Sequence, residues 1–411
     1  MKKISQIIIK RYDTKKHYMK NFNIKMILLV LLFLLFVPIS VQATEVGKIG
    51  EAQQSEINNL YDYISNVKSQ YEIFNDMQPQ TFVEQFIKTG DNGLSFKKTS
   101  SFIISYTFKE VIACMELIGS LMIIAIICAM LNNLQSAFSR DSLSNIAYLA
   151  CYGVMIVMIT KSFYVVAELA KNTIVSMSNF MAALIPVLMM LLASVGGFAE
   201  ATLLDPVIMG FATVSSRIYV DIIIPVIFMS FVLQFVSSIS SDYKIKSLTK
   251  LLKQTAIWIQ GIIMTVFIAV ITIRSIAAKT LDQVTIKTAK FAVDTFVPVV
   301  GKCLSDAIST VAGYSLLLKS AISGLGLIVL MVIVLLPIIK LLIMAFLYKA
   351  AAALIEPISD NRTVECINSV GDSILLLMSC VISVSVMFFI MVAIVEIGRA
   401  SCRERVYGEC R

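Results

Sequence analysis

The stretch ISGLGLIVLMVIVLLPIIKLLIMAFL, residues 322–347, decides the fold class of this chain. It contains a single charged residue, Lys340. About 20 apolar residues suffice to cross about 30 Å of hydrocarbon as a helix that rises 1.5 Å per residue. Within lipid the segment must be helical, because only a helix satisfies its backbone hydrogen bonds inside one segment. We therefore expect a membrane-spanning helix here.

Similar apolar blocks recur through the chain, which is 58% hydrophobic and only 15% charged, against about 45–50% and about 25% in soluble domains. The fourth block carries Arg217, Asp221 and Pro225, and its length predicts a break or kink. We expect an all-α, polytopic integral membrane helical bundle with about seven to eight spans after an N-terminal signal sequence. The candidate spans are 111–131, 146–167, 174–195, 207–238, 256–273, 296–318, 322–347 and 370–395.

Residues 1–43 have the pattern of a secretory signal. A basic stretch precedes the apolar run Met26–Ile39, and the small-residue pattern Val41-Gln42-Ala43 follows it. We expect cleavage after Ala43. The alternative is an uncleaved anchor helix, and both place the next segment outside the cytoplasm. The net charge is +8. Many lysines and arginines lie ahead of the apolar run Met26–Ile39. This position indicates a cytoplasmic flank and not a nucleic-acid surface.

Residues 44–108 are polar and contain no spanning block, so we expect an extracytoplasmic amphipathic helical segment. Its apolar residues recur at three- and four-residue spacing, which is typical of an amphipathic helix. Its apolar face can pack on the membrane, on a partner or on the bundle, and composition does not distinguish these. The residues that form the pattern are Ile57, Leu60, Tyr61, Ile64, Val67 and Tyr71.

The multi-span membrane domain is expected at 109–395. Residues 396–411 turn abruptly polar and resemble a sequencing-library adapter translated in frame. We interpret this tail as non-native and do not expect it to belong to the fold.

Two polar connections are basic, Asp242–Lys253 and Arg274–Asp294. If the helix between them spans the bilayer, they lie on opposite sides, and the positive-inside rule cannot satisfy both. One of them can instead lie flat on the membrane with its lysines reaching toward water. Topology is therefore left open by the sequence.

Charged residues inside or beside the apolar blocks are the candidate functional residues. A charge at the bilayer centre costs several kcal/mol, so such residues usually face a bundle interior, a pore or a partner. Ion pairs within the bundle and long side chains at helix ends are the alternatives. The candidates for pore or subunit contacts are Glu116, Lys161, Arg217, Asp221, Lys302, Asp306, Lys340 and Asp372, with Glu168 beside them.

Four prolines, at 186, 225, 298 and 337, suggest a weak internal repeat. Pro186 and Pro225 are 39 residues apart (225 − 186), as are Pro298 and Pro337 (337 − 298). We expect helix kinks at all four. Each unit would hold three spans and the second would be inverted, which is a habit of transporters.

Catalytic constellations are absent from the sequence. The one histidine, His17, precedes the signal core, so no histidine-based triad or metal cluster is possible. No phosphate-binding GxxxxGK[ST] loop and no GxSxG nucleophile motif occurs. The eight cysteines show no metal-ligand spacing. We expect a protein that is not an enzyme and has no catalytic residue, cofactor or metal.

Two further stretches carry a family resemblance: FVPVVGKCLSDAISTVAGYSLLLKSAISGLG (296–326) and LPIIKLLIMAFLYKAAAALIEPISD (336–360). Together with the export signal, the polar outer segment and the terminal span, they resemble the stage III sporulation protein AE family of endospore-forming Firmicutes. The resemblance covers the chain from the signal to about residue 395.

The resemblance implies a membrane component of the channel complex that joins mother cell and forespore and is required for spore development. It implies a multi-pass location in the mother-cell membrane around the forespore. The implied partners are the other stage III sporulation A operon proteins, the stage II sporulation protein Q complex across the intermembrane space and the lipid bilayer. A homo-oligomer is possible, and no nucleic acid is expected. The alternative is an independent secondary transporter or permease with inverted repeats, which the proline pattern favours.

Overall fold

A computed structural model describes residues 49–70, 83, 96–137, 142–194, 198–239, 246–296, 301–359 and 361–397. The expected signal sequence and nearly all of the expected non-native tail lie outside these residues. The chain divides into two compact units, residues 1–52 and 53–411. Of the first unit, only the start of the first helix is described.

The regular elements of the described residues are all helical. They are α1 (Ile49–Gln70), α2 (Phe96–Ala137), α3 (Ser142–Ser194), α4 (Phe198–Ile218), a π-helical turn (Tyr219–Ile223), α5 (Ile224–Ile239), α6 (Lys246–Phe296), α7 (Gly301–Ile355) and α8 (Asn361–Ile397).

Within the described residues, six helical stretches are long and apolar enough to cross a membrane: Ile103–Met130, Ala150–Ala193, Val207–Val236, Ser247–Ile273, Leu317–Ile355 and Asn361–Ile394. The all-α membrane class is thus confirmed. Six such stretches among the described residues are roughly consistent with the expected seven to eight spans, and 146–167 and 174–195 join in the continuous helix α3. Likewise, 322–347 and much of 296–318 belong to α7. Charged residues interrupt the apolar pattern at these junctions, but a charge does not break a helix.

Helix α1 packs its apolar stripe onto the bundle. Ile57, Leu60 and Ile64 are buried in the main core. The Tyr63 hydroxyl donates a hydrogen bond to the backbone carbonyl of Ser176, at 3.2 Å. The segment therefore uses the bundle itself as the partner of its apolar face.

Helices α3, α7 and α8 form the centre of the bundle and bury most of its large side chains. Helix α3 runs antiparallel to α7, since Leu184 meets Gly326 near one end and Ser162 faces Tyr348 near the other. Helix α5 covers another side of α3, where the Phe163 and Phe231 rings stack with centroids 3.8 Å apart.

Two glycines set how closely the central helices approach. A Cβ on Gly326 would lie 2.6 Å from Leu184 Cδ2, so α3 and α7 meet there with no room for a side chain. A Cβ on Gly371 of α8 would lie 2.9 Å from Lys349 Cγ and 3.3 Å from the Ala345 carbonyl oxygen of α7. Small residues allow such close packing of membrane helices.

Pro225 explains the π-helical turn between α4 and α5. Proline has no N–H to donate to the carbonyl four residues earlier, and its ring crowds that carbonyl. The chain widens by one residue instead, and the Ile224 N–H bonds to the Tyr219 carbonyl five residues before it. Pro186 and Pro337 lie inside the continuous helices α3 and α7, and Pro298 lies outside the described residues.

Candidate functional site

The charged candidates fall into two classes of exposure. Lys340 and Asp372 are half-buried between helices, whereas four others are exposed on the bundle surface: Glu116, Lys161, Arg217 and Asp221. The side chains of Lys302 and Asp306 lie outside the part that the structure describes. Lys161 and Lys340 line a common cavity.

That cavity, the α2–α3–α7 cleft, has a volume of about 430 Å³. Its walls are largely apolar, with four polar or charged groups among them. The lining residues are Glu110, Ala113, Cys114, Met158, Lys161, Ser162, Val165, Lys340 and Met344. The cleft opens to the outer surface of the bundle, because Lys161 and Val165 are exposed.

An ion pair between α2 and α7 forms one side of the cleft. Lys340 Nζ lies 3.1 Å from Glu110 Oε2 and donates a hydrogen bond to Oε1 at 3.3 Å. The Glu110 side chain is only 15% exposed and that of Lys340 36%. A pair removed this far from water depends on its partner, because either charge alone would be poorly solvated.

Lys161 projects from α3 into the same cleft and has no ion-pair partner among the described residues. Beside it, the buried Ser162 hydroxyl lies close to the Tyr348 hydroxyl. In the described part of the chain, neither oxygen makes a hydrogen bond of good geometry. The cleft therefore holds one neutralised lysine, one lysine without a counter-charge and a hydroxyl group with spare hydrogen-bonding capacity.

A second ion pair joins α7 to α8. Lys349 Nζ lies 2.7 Å from Asp372 Oδ1, and its aliphatic stem crosses Gly371. Lys253 of α6 lies within electrostatic reach of the same carboxylate. Three helices thus present charges to one another around Asp372.

Arg217 and Asp221 lie away from these ion pairs, at the π-helical turn. Their four-residue spacing predicts opposite charges on one helix face, but both side chains are exposed and they form no ion pair among the described residues. They lie near the middle of the apolar stretch Val207–Val236. These charges sit on the outside of the bundle and not in its interior.

A small polar seam lies inside the bundle between α6 and α8. The buried Gln260 side chain donates through Nε2 to Cys380 Sγ at 3.0 Å and accepts from Ser379 Oγ at 3.1 Å. The buried Tyr219 side chain of the π-helical turn lies near Ser383 of α8. The seam fixes how α6, α8 and the turn fit together.

Sequence reasoning missed Glu110, Lys349 and Gly371. Glu110 stands just before the apolar block 111–131 and Lys349 just after 322–347, so both resemble ordinary helix-end charges. Their partners are distant in sequence, and no local signal connects them. Among the described residues, no group of histidine, cysteine or carboxylate side chains could hold a metal ion.

A family profile and a characterised relative both match most of the chain, and both carry the same family description. The profile of the family described as Stage III sporulation protein AE (spore_III_AE) matches residues 77–398. The Stage III sporulation protein AE of Bacillus subtilis (strain 168) is 33% identical over 344 residues, which cover 84% of this chain and 86% of that protein. No solved structure matches significantly.

Proposed function

Because the chain belongs to the stage III sporulation protein AE family, and so has a role in sporulation, we propose that it is a membrane subunit of a channel complex between mother cell and forespore. In this proposal the protein acts in the mother-cell membrane around the forespore. It contributes structure and a conduit and performs no catalysis.

The exposed charges at the π-helical turn carry this proposal. Arg217 and Asp221 lie near the middle of an apolar stretch and face away from their own bundle. Charges at that depth are costly against lipid and normally face protein or a water-filled path. A subunit of a larger assembly meets that requirement, because a partner or a shared pore covers the surface. A transporter that works alone would be expected to turn such charges inward.

The partners in this proposal are the other stage III sporulation A operon proteins, and stage II sporulation protein Q reached across the intermembrane space. Further copies of this chain are also candidates. Family membership supports involvement in the sporulation apparatus, and the choice among these partners rests on the proposed complex.

A charge-reversal experiment tests the proposal. The gene is deleted in the native host and complemented with wild type, Arg217→Glu or Asp221→Lys. We expect the variants to accumulate in the membrane at wild-type levels, but to lose late forespore gene expression and co-purification with the operon proteins. Glu356→Lys is the matched control, since this exposed charge lies in the turn after α7, outside the spanning stretches.

Two results would overturn the proposal. One is normal sporulation in the deletion strain. The other is solute transport by the purified protein alone in vesicles, which would favour the independent transporter.

A further inference from the structure

The apolar parts of α3 and α7 are too long for one bilayer. Ala150–Ala193 has 44 residues and Leu317–Ile355 has 39, or about 66 and 58 Å of helix. The hydrocarbon core is about 30 Å thick, and even a tilt of about 40° leaves projected lengths of about 50 and 45 Å. A boundary of the bilayer must therefore cross both helices partway along.

The level of the α2–α3–α7 cleft fits that boundary. Lys161 interrupts the apolar sequence of α3 and Lys340 that of α7, and the two line the same cleft. The Lys349–Asp372 pair lies nine residues further along α7, which is about 13 Å. Charges collect where the headgroups lie, because charged side chains cost less there than in the hydrocarbon.

The charge of the cleft is unbalanced. It contains two ammonium groups, on Lys161 and Lys340, and one carboxylate, on Glu110. Glu110 neutralises Lys340 through the 3.1 Å ion pair. Lys161 has no ion-pair partner among the described residues, and the buried Ser162 hydroxyl beside it lies near the Tyr348 hydroxyl but makes no hydrogen bond of good geometry within them. A ligand that suits this arrangement brings one negative charge and hydrogen-bond acceptors.

We propose that the α2–α3–α7 cleft binds the phosphate diester of an anionic phospholipid. Lys161 supplies the principal charge and Ser162 a hydroxyl donor. The walls formed by Met158, Val165 and Met344 accept the first part of the acyl chains. A volume of about 430 Å³ accommodates a headgroup but not a whole lipid, and the opening at Lys161 and Val165 lets the chains leave into the bilayer. This proposal does not depend on the channel function.

The test uses the purified full-length protein in nanodiscs of phosphatidylcholine, with or without phosphatidylglycerol. Native mass spectrometry measures the phosphatidylglycerol retained per protein after release from the disc. Loss of one lysine–phosphate contact is expected to lower retention about fivefold in Lys161→Gln. Lys161→Arg keeps the charge and should retain the lipid as wild type does. Lys171→Gln, an exposed position on the same helix outside the cleft, should also match wild type.

A second experiment distinguishes a lipid ligand from a free anion. Inorganic phosphate is added to the protein in phosphatidylcholine discs, and the thermal unfolding temperature is measured. The proposal expects phosphatidylglycerol to raise the unfolding temperature of wild type but not of Lys161→Gln, and inorganic phosphate to have no such effect. Equal retention by wild type and Lys161→Gln overturns it. Stabilisation by inorganic phosphate alone also overturns it, because the cleft would then take a soluble anion.

Discussion

Lys340 and Glu110 are 230 residues apart in sequence, and their charged groups lie 3.1 Å apart across α7 and α2. This contact ties the first spanning helix to the centre of the bundle. It also neutralises the charge that interrupts the most apolar segment of the chain.

Replacing Glu110 by Gln should destabilise the protein. The variant leaves the half-buried Lys340 without a counter-charge, and we expect a loss of roughly 1–2 kcal/mol, below the cost for a fully buried pair because Lys340 still reaches solvent. Denaturant unfolding in detergent measures the loss. Glu116→Gln is the control, since this exposed carboxylate on the same helix forms no ion pair within the described chain. Equal unfolding free energies of Glu110→Gln and Glu116→Gln would show that the Glu110–Lys340 pair contributes nothing to stability.

Gly326→Ala should weaken the contact between α3 and α7. The new methyl group would lie 2.6 Å from Leu184 Cδ2, so the leucine or the helix must move. We expect a loss of roughly 1–3 kcal/mol, as for an overpacked core. Gly324 lies about half a turn away, and a Cβ added to it would meet open space. Gly324→Ala should therefore raise the unfolding free energy by up to about 1 kcal/mol through helix propensity. A loss in the double variant Gly326→Ala, Leu184→Ala that is smaller than the sum of the losses in the two single variants would locate the strain at this contact, because Leu184→Ala alone already removes a buried side chain.

Gly371→Ala should disturb the Lys349–Asp372 ion pair without touching either charge. The added methyl group meets Lys349 Cγ at 2.9 Å, where the lysine stem crosses α8. We expect a double-mutant cycle with Asp372→Asn to show coupling of about 0.5 kcal/mol or more. Thermal unfolding of the four proteins provides the cycle. Strictly additive effects would mean that the glycine serves only the backbone approach of α7 and α8.

Pro225→Ala should make the protein more stable and less functional. Alanine restores the N–H that can bond to the Asp221 carbonyl, so the π-helical turn can close into a regular helix. That closure would rotate Arg217 and Asp221 relative to α5. We expect a gain of roughly 1–3 kcal/mol in unfolding free energy, together with fewer heat-resistant spores. Pro357→Ala, in the turn after α7, should leave both unchanged. A wild-type number of heat-resistant spores in Pro225→Ala would show that the π-helical turn is not needed for function.

The expected break in the fourth apolar block shows how far local reasoning reaches. Pro225 forbids one backbone hydrogen bond whatever surrounds it, so an irregularity near Asp221 follows from the sequence. The form of that irregularity does not. A kink and a π-helical turn both accommodate the ring, and the packing of the buried Tyr219 and Ile223 side chains accompanies the observed one.

The joining of two apolar blocks in α3 depends on the fold as well as on the local sequence. Glu168 and Lys171 lie between two apolar blocks and suggest a connection outside the membrane. Both are good helix formers, and α3 continues through them while packing against α2, α4, α7 and α8. Hydropathy measures transfer into lipid, and it does not report whether a neighbouring helix covers one face.

The sequence by itself determined that this protein is an all-helical membrane bundle in the stage III sporulation protein AE family, because apolar length and order of features are properties of the chain alone. It also identified Lys161 and Lys340 as charges in unusual positions. Only the tertiary structure decided that these two share a cleft, that Glu110 neutralises one of them, and that Arg217 and Asp221 face outward. Those facts depend on contacts between helices distant in sequence, and the energy of a charge is set by whatever the fold places next to it.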